Sequence, residues 1–189
     1  AEVVISFDEA LTSILSCVEP LGVRQVGIEQ SAGFFLVDGV ITPVALPRFD
    51  NSSVDGYGVC ADDTGGATPH SPIRLQVVGS IVAGDKSTVP LKPGGAFKIF
   101  TGGQIPVGVD AVIMREQVNE SDWISITRPV SPGTNIRRAG EEFQAGDQVL
   151  SARCRITPAV IGLLAQLGIS SCTVYRKPSV ALIITGSEL

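Results

Sequence analysis

The sequence has few charged residues, few cysteines and no excess of positive charge. Asp, Glu, Lys and Arg make up 17% of its 189 residues, whereas about 25% is usual. Apolar residues make up 44%, which excludes intrinsic disorder because disorder requires low hydrophobicity and high net charge. The net charge of -5 argues against non-specific nucleic-acid binding, which needs a basic face to neutralise phosphates.

The four cysteines lie at positions 17, 60, 154 and 172. They are too far apart for a C-x-x-C metal site and too few for a disulfide scaffold, so reduced thiols are expected. The N-terminal residues lack a basic segment followed by an apolar one, and we expect no secretory signal. The uncharged stretch 156–175 contains proline, glutamine, serine and threonine, which predicts a helix followed by a strand and no membrane span.

Two helices are predicted from their termini. Ser6 and Glu9 have the spacing of a capping box, and Pro20 ends the apolar periodicity that follows. Thr157 followed by Pro158 begins the second helix, with proline at its first position, and Gly168 ends it. The apolar face of the first helix consists of Phe7, Leu11, Ile14, Leu15 and Val18.

The remaining pattern favours β-strands. Ile73, Leu75 and Val77 alternate with polar residues, which is the period of a half-buried strand. Short strands separated by glycine- and proline-rich turns indicate an all-β domain of sandwich or barrel type. The segment 30–36 fits either a short helix or a strand. An unbroken apolar run at 180–184 predicts a strand buried on both faces, as in a parallel α/β sheet. The predicted strands are 23–28, 57–60, 73–77, 96–100, 111–114, 123–126, 148–150, 172–175 and 180–184.

Three polar segments are candidates for a functional site. The first, at 49–57, reads Phe-Asp-Asn-Ser-Ser-Val-Asp-Gly-Tyr and places Asp55 as an acid, a base or a metal partner. The second, at 100–106, has glycine amides that could approach an oxyanion. The third, at 133–142, contains two arginines and two glutamates. Each segment also has a purely structural interpretation: a tight turn, a glycine turn and a solvated ion-pair turn.

The order of these motifs is specific. Phe-Asp-Asn-Ser-x-x-Asp-Gly-Tyr precedes Thr-Gly-x-x-x-Pro with Asp110-Ala111-Val112, and Asn-Ile-Arg-x-x-Gly-Glu precedes Thr-Gly-x-Glu-Leu. The series resembles the molybdopterin molybdenumtransferases, the molybdenum insertases of molybdenum cofactor synthesis, which include the E domain of gephyrin. The resemblance covers essentially the whole chain.

The resemblance implies an elongated, multi-domain α+β fold. A discontinuous α+β first domain is expected at 1–45 and 143–176, with a mostly-β inserted domain at 46–142. Residues 177–189 match the first strand of a truncated α/β molybdopterin-binding domain. The family further implies a cytoplasmic homodimer joined through the first domain, with molybdopterin adenylyltransferase and molybdoenzyme acceptors as partners.

The family reaction transfers molybdenum from molybdate to adenylylated molybdopterin and releases AMP, with assistance from Mg²⁺. By resemblance, this chain carries part of that transferase site, and the chain alone is predicted to be inactive. No metal ligand is assigned. The implied catalytic residues are Asp55, Thr101, Glu142 and Glu188. The implied substrate-binding residues are Ser52, Gly56, Tyr57, Gly102, Asn135, Arg137, Thr185 and Gly186.

Three residues depart from the family pattern. Ile184 and Ser187 stand where the family usually has serine and aspartate, and Glu142 stands where it has aspartate. The lost hydroxyl and carboxylate leave an alternative open: a gephyrin-like dimerisation or scaffold module whose transferase chemistry has decayed.

Overall fold

The computed structural model describes residues 5–85, 89–120 and 122–185. These residues form two compact units. The first unit extends to Ile41 and resumes at Gln148, and the second is Thr42–Asp147. Within the described ranges, no helix is long and apolar enough to cross a membrane.

The secondary structure is mostly β. The two α-helices, α1 (Phe7–Ser16) and α2 (Pro158–Gln166), belong to the first unit. The strands in chain order are β1 (Val23–Gly27), β2 (Val40–Ile41), β3 (Asn51–Ser52), β4 (Gly56–Val59), β5 (Ile73–Ile81), β6 (Gly95–Ile99), β7 (Ala111–Met114), β8 (Asn119–Glu120), β9 (Trp123–Ile126), β10 (Ile136–Arg137), β11 (Gln148–Leu150) and β12 (Ser171–Tyr175).

Both predicted helix starts are confirmed. The Ser6 amide donates to Glu9 Oε2 at 2.8 Å, and the Glu9 amide donates to Ser6 Oγ at 3.2 Å, so the capping box is complete. The Thr157 hydroxyl oxygen accepts from the Val160 amide at 3.3 Å. No residue of α1 is buried, and Phe7 is 79% exposed. The apolar face of α1 is therefore uncovered within the described residues.

The first unit is built on two small antiparallel ladders, β1 with β12 and β2 with β11. Its core contains Phe34, Leu36, Ile156, Cys172 and Val174. Segment 30–36, for which the sequence left a short helix and a strand open, forms neither of them over its whole length. A 3₁₀ helix ends at Gln30, and isolated β-bridges follow at Phe35 and Leu36.

The second unit contains a six-stranded sheet in the order β7-β4-β6-β5-β9-β8. The β5–β6 pair is parallel, whereas the other neighbours are antiparallel. The sheet is open, with β7 and β8 at its edges. The predicted strands of this region are confirmed to within one residue, except that β5 continues to Ile81. The mostly-β character expected of this region is confirmed, because its regular elements among the described residues are strands and short 3₁₀ helices. Leu75 of β5 lies in the core of this unit, as its alternation predicts.

The strand predicted at 180–184 is wrong for the described residues. Residues 178–185 have no regular secondary structure, and their side chains are exposed, with Val180 at 85% and Ile183 at 80%. A strand needs a neighbour to satisfy its amides and carbonyls, and no described residue pairs with this segment. The first strand of the implied α/β domain is therefore not formed within residues 178–185, and the domain itself stays a prediction.

Candidate functional site

Backbone pairing brings the three candidate segments together in the second unit. Ser52 lies opposite Ile136 in the β3–β10 ladder, and Asn51 forms a β-bridge with Gln104. The Gly102 amide also donates to the Ser52 carbonyl at 2.8 Å. We call residues 50–57, 100–105 and 135–142 the motif cluster.

Asp55 and Thr101 form the best-defined contact of the motif cluster. The Thr101 amide donates to Asp55 Oδ1 at 2.8 Å, and the Thr101 hydroxyl donates to the same oxygen at 2.7 Å. These bonds, with a weaker contribution from the charge of Arg115, hold the pKa of Asp55 below its usual value. Both residues are exposed. The site therefore presents an oriented, ionised carboxylate to solvent.

The glycine-rich loop does not have the free amides expected of an oxyanion site. The Thr101 amide is used by Asp55, the Gly102 amide by Ser52, and the Gly103 amide by the Phe100 carbonyl at 2.8 Å. Gly102 has a φ of +80°, which explains why glycine stands there. Within this structure the loop orients Asp55 and offers no nest of amides to an anion.

Three predicted substrate-binding positions are buried. Ser52 is fully buried and its hydroxyl donates to the Val54 carbonyl at 2.6 Å. Gly56 lies where a Cβ would come within 2.1 Å of the Ile113 carbonyl oxygen. Tyr57 is 0% exposed in the core. These residues place Asp55 at the start of β4, and their side chains offer no accessible surface to a ligand in this structure.

Asn135 connects two segments of the motif cluster. Its backbone has a φ of +55°, a conformation that asparagine tolerates better than most residues. Its side-chain amide donates to the Val112 carbonyl at 2.8 Å. Its own carbonyl accepts from the Ser53 amide at 3.0 Å and from the Ser53 hydroxyl at 3.1 Å. Asn135 thereby fixes the turn that leads to Arg137.

Arg137 and Glu142 are brought together, as part of an ion-pair turn. Arg137 Nε donates to Glu141 Oε1 at 2.8 Å, and its Nη2 contacts Glu142 Oε1. Hydrogen bonding to Glu141, and then to Glu142, raises the pKa of Arg137, whereas the pKa of Glu141 is lowered chiefly by Arg137. The carboxylates are exposed. This segment therefore forms the solvated ion-pair turn of its structural interpretation, and Glu142 is exposed at the surface.

Asp50 is a site residue that the sequence analysis did not single out. Its Oδ2 accepts from Arg138 Nη1 at 2.6 Å, and its Oδ1 accepts from the Ala139 amide at 2.8 Å. Its carbonyl accepts from the Ile105 amide at 2.9 Å. Asp50 therefore joins all three segments. Its position inside the first motif could have indicated a role for Asp50. Only the folded chain shows that residues 138 and 139 bind its carboxylate.

The roles implied for Thr185, Gly186 and Glu188 stay predictions. Thr185 is exposed and belongs to the first unit, and Gly186 and Glu188 lie outside the described residues. Among the residues that are described, no group of three or more His, Cys, Asp or Glu side chains could hold a metal ion. The described residues therefore offer no ligand set for the Mg²⁺ that the resemblance implies.

Acid is expected to weaken the second unit through Asp50. Hydrogen bonds from Ala139 and Arg138 hold the pKa of Asp50 below its usual 3.8, so the unfolded chain binds this proton more readily than the folded one. The stabilisation is complete above the unfolded pKa and is lost as the pH falls through the lower folded pKa. We expect Asp50→Asn to flatten the acid limb of a plot of unfolding free energy against pH.

Urea denaturation between about pH 2 and pH 6 measures this effect. Asp62→Asn is the matched control, because Asp62 is exposed in the same unit and its side chain makes no hydrogen bond among the described residues. Equal acid limbs for the two variants would contradict the role given to Asp50.

Comparison with known proteins gives consistent results. The family model for the MoeA N-terminal region, domains I and II, matches residues 5–168. Molybdopterin molybdenumtransferase 2 of Mycobacterium tuberculosis is 42% identical over 165 residues, which are 87% of this chain and 41% of the relative. Molybdopterin molybdenumtransferase of Bacillus subtilis is 38% identical over 190 residues, 98% of this chain and 44% of the relative.

A solved structure shows the same fold. The crystal structure of the molybdopterin biosynthesis MoeA protein from Pyrococcus horikoshii OT3 matches with a TM-score of 0.85 and 35% sequence identity. The match covers 93% of this chain and 47% of that chain. This chain therefore spans less than half the length of the relatives it matches.

Proposed function

The chain belongs to the family of the MoeA N-terminal region, and from this premise we propose that it is the N-terminal part of a molybdopterin molybdenumtransferase. The full-length protein inserts molybdenum from molybdate into adenylylated molybdopterin and releases AMP, as part of molybdenum cofactor biosynthesis. The observation that carries the proposal is that three family motifs meet in one cluster, the first with the second through the Asp55–Thr101 contact and the first with the third through the β3–β10 ladder.

The chemical contribution of this chain centres on the Asp55 carboxylate. Release of AMP by hydrolysis requires that the oxygen of a water molecule attack the adenylyl phosphorus and that the water lose a proton, while the phosphoanhydride bond breaks and the molybdopterin phosphate leaves with the bridging oxygen. Asp55 is exposed and ionised, and its Oδ1 is fixed by Thr101, so the carboxylate is positioned to accept that proton. Glu142, which contacts Arg137, is a second exposed carboxylate of the motif cluster. The residues that bind most of the substrate belong to the part of the relatives that this chain does not span.

Complementation tests the proposal in a cell. A bacterial strain that lacks its own molybdopterin molybdenumtransferase receives the gene for the full-length protein, and the activity of a molybdoenzyme is measured. We expect the full-length gene to restore that activity and the 189-residue chain alone to restore none. Failure of a folded, expressed full-length protein would argue against the transferase proposal.

The alternative function is a dimerisation or scaffold module with decayed transferase chemistry. Ile184 and Ser187 favour it, because Ile184 lacks the hydroxyl and Ser187 lacks the carboxylate that the family loop usually has at these positions. Restoring serine at 184 and aspartate at 187 in the full-length protein separates the two functions. A large gain in AMP release supports decay, whereas an unchanged rate supports a working variant loop.

We also propose that the chain forms a homodimer through α1. The apolar face of α1 is uncovered within the described residues, with Ile14 at 63% exposure, and the mean hydropathy of the chain is +0.32. A self-complementary helix face suits a two-fold interface. The apolar face of α2, which was also expected to contribute, does not extend this surface, because Val160 packs against the core of the first unit and Leu164 is fully buried. Molybdopterin adenylyltransferase, molybdoenzyme acceptors and a cytoplasmic location stay predictions.

Sedimentation at micromolar concentration is expected to show a dimer for the wild-type chain and a monomer for Ile14→Glu. The substitution places a carboxylate in the proposed apolar interface, where it cannot be hydrated. Ser13→Glu adds the same charge to the polar side of α1 and is expected to leave the dimer intact. A folded wild-type chain that sediments at about half the dimer mass would contradict the proposal.

A further inference from the structure

The Phe34 ring in the first unit holds two cations. The guanidinium carbon of Arg24 lies 4.7 Å from the ring centroid, and Lys177 Nζ lies 4.2 Å from it. The ring is buried, and the Phe34 carbonyl accepts from the Ile156 amide at 2.8 Å. Because the negative face of an aromatic ring attracts cations, this fixed ring keeps two long side chains close to one point.

A third cation joins this pair. The Arg176 amide donates to the Gly22 carbonyl at 2.9 Å, which holds Arg176 directly beyond the β1–β12 ladder. Arg24, Phe34, Arg176 and Lys177 line an open cavity of about 390 Å³. This volume falls in the range of small-molecule sites, roughly 300–1,000 Å³. We call these four residues and their cavity the cationic pocket.

The three cations have no carboxylate partner in the described part of the chain. In the second unit, by contrast, Arg137 and Arg138 are both paired with carboxylates. Three uncompensated positive charges around one cavity repel one another, in a protein whose net charge is -5. A bound anion would relieve that repulsion, so the pocket has a charge that suits a multivalent anion.

We propose that the cationic pocket binds a small tetrahedral oxyanion of charge about -2, free or as a phosphomonoester. Guanidinium groups donate in a planar fork that matches two oxygens of such an anion, and the Lys177 ammonium adds a point charge. The size of the cavity favours a small molecule over a macromolecular surface. The site lies within the first unit and uses no residue of the motif cluster, so it is independent of the transferase proposal.

Nuclear magnetic resonance titration of the ¹⁵N-labelled 189-residue chain with inorganic phosphate tests the proposal. The pH is held near 8, where phosphate is mostly dianionic, and sodium chloride keeps the ionic strength constant. We expect saturable shifts at Arg24, Phe34, Arg176 and Lys177, with a midpoint in the millimolar range or below. A parallel titration with glycerol phosphate distinguishes a free oxyanion from a phosphomonoester. Tighter binding of glycerol phosphate than of inorganic phosphate indicates a ligand whose ester group extends into the cavity.

Charge-matched variants locate the binding. Arg176→Gln and Lys177→Gln lie outside β12 and are each expected to weaken binding at least tenfold. Arg74→Gln removes the same charge from an exposed position of the second unit and should leave the midpoint unchanged. Linear, unsaturable shifts, or equal midpoints in Arg176→Gln and Arg74→Gln, would overturn the proposal. Saturable binding of a hexaglutamate peptide without saturable phosphate binding would overturn it as well, in favour of a peptide-docking surface.

Discussion

Gly56→Ala is expected to destabilise the second unit by at least about 3 kcal/mol, because the added methyl group would collide with a neighbouring strand. Its Cβ would lie 2.1 Å from the Ile113 carbonyl oxygen and 2.9 Å from the Ile113 carbonyl carbon. Both atoms belong to the backbone of β7, which pairs directly with β4, so the contact can be relieved only by separating the strands. Such a loss is a large part of the roughly 5–15 kcal/mol that stabilises a typical domain.

Urea denaturation followed by tryptophan fluorescence measures this loss, because the single tryptophan, Trp123, lies in β9 of the same sheet. Gly162→Ala is the control. Gly162 lies inside α2. Apart from its chain neighbours and the backbone of its own helix, no described atom lies within 4 Å of an added Cβ, and alanine there should be neutral or stabilising by about 0.5–1 kcal/mol. A Gly56→Ala protein as stable as the wild type would show that β4 and β7 are not packed as described.

Asp55→Asn is expected to lower the turnover of the full-length protein by about 100-fold or more while leaving its unfolding midpoint nearly unchanged. The asparagine carbonyl oxygen can still accept both hydrogen bonds from Thr101, so the local structure is kept. The negative charge and the ability to take up a proton are lost, and a general base typically contributes 10²–10⁴-fold. AMP release and thermal unfolding, measured on the same preparation, separate the two effects.

Asp62→Asn removes the same charge from an exposed residue of the same unit and should leave the turnover unchanged. Thr101→Val removes one of the two donors to Asp55 and should give an intermediate rate. A wild-type rate for Asp55→Asn would remove Asp55 from the chemistry. A large shift in its unfolding midpoint would instead make Asp55 part of a structural turn.

Local sequence signals predicted the helices and most of the strands. The Ser6–Glu9 capping box and the Thr157–Pro158 start act through hydrogen bonds and backbone angles of adjacent residues, which are readable without a fold. The alternation around Leu75 likewise identified a half-buried strand. The order of the strands could not be read in this way, because the parallel β5–β6 pair depends on contacts between distant residues.

The failure at 180–184 has a different physical origin. An apolar run states that a segment prefers burial, but burial requires neighbouring strands and covering helices. The described residues supply none, so Ile183 remains 80% exposed. The apolar run shows that the segment prefers burial, but it does not show whether neighbouring strands and helices are there to bury it.

The sequence identified most residues of the candidate site, but it did not predict what several of them do in the structure. The order of the motifs identified Asp55, Thr101 and Arg137, which the fold brings into the motif cluster. Residue types alone could not show that the loop amides are already used within the chain, nor that Tyr57 is buried. The role of Asp50 also depends on a turn 88 residues farther along the chain.

The most direct measurement of the proposed function is AMP release by the purified full-length protein, given adenylylated molybdopterin with and without molybdate. We expect AMP and the molybdenum cofactor to form together over repeated turnovers when molybdate is present. A folded full-length protein that binds adenylylated molybdopterin but releases no AMP in the presence of molybdate would contradict the transferase function.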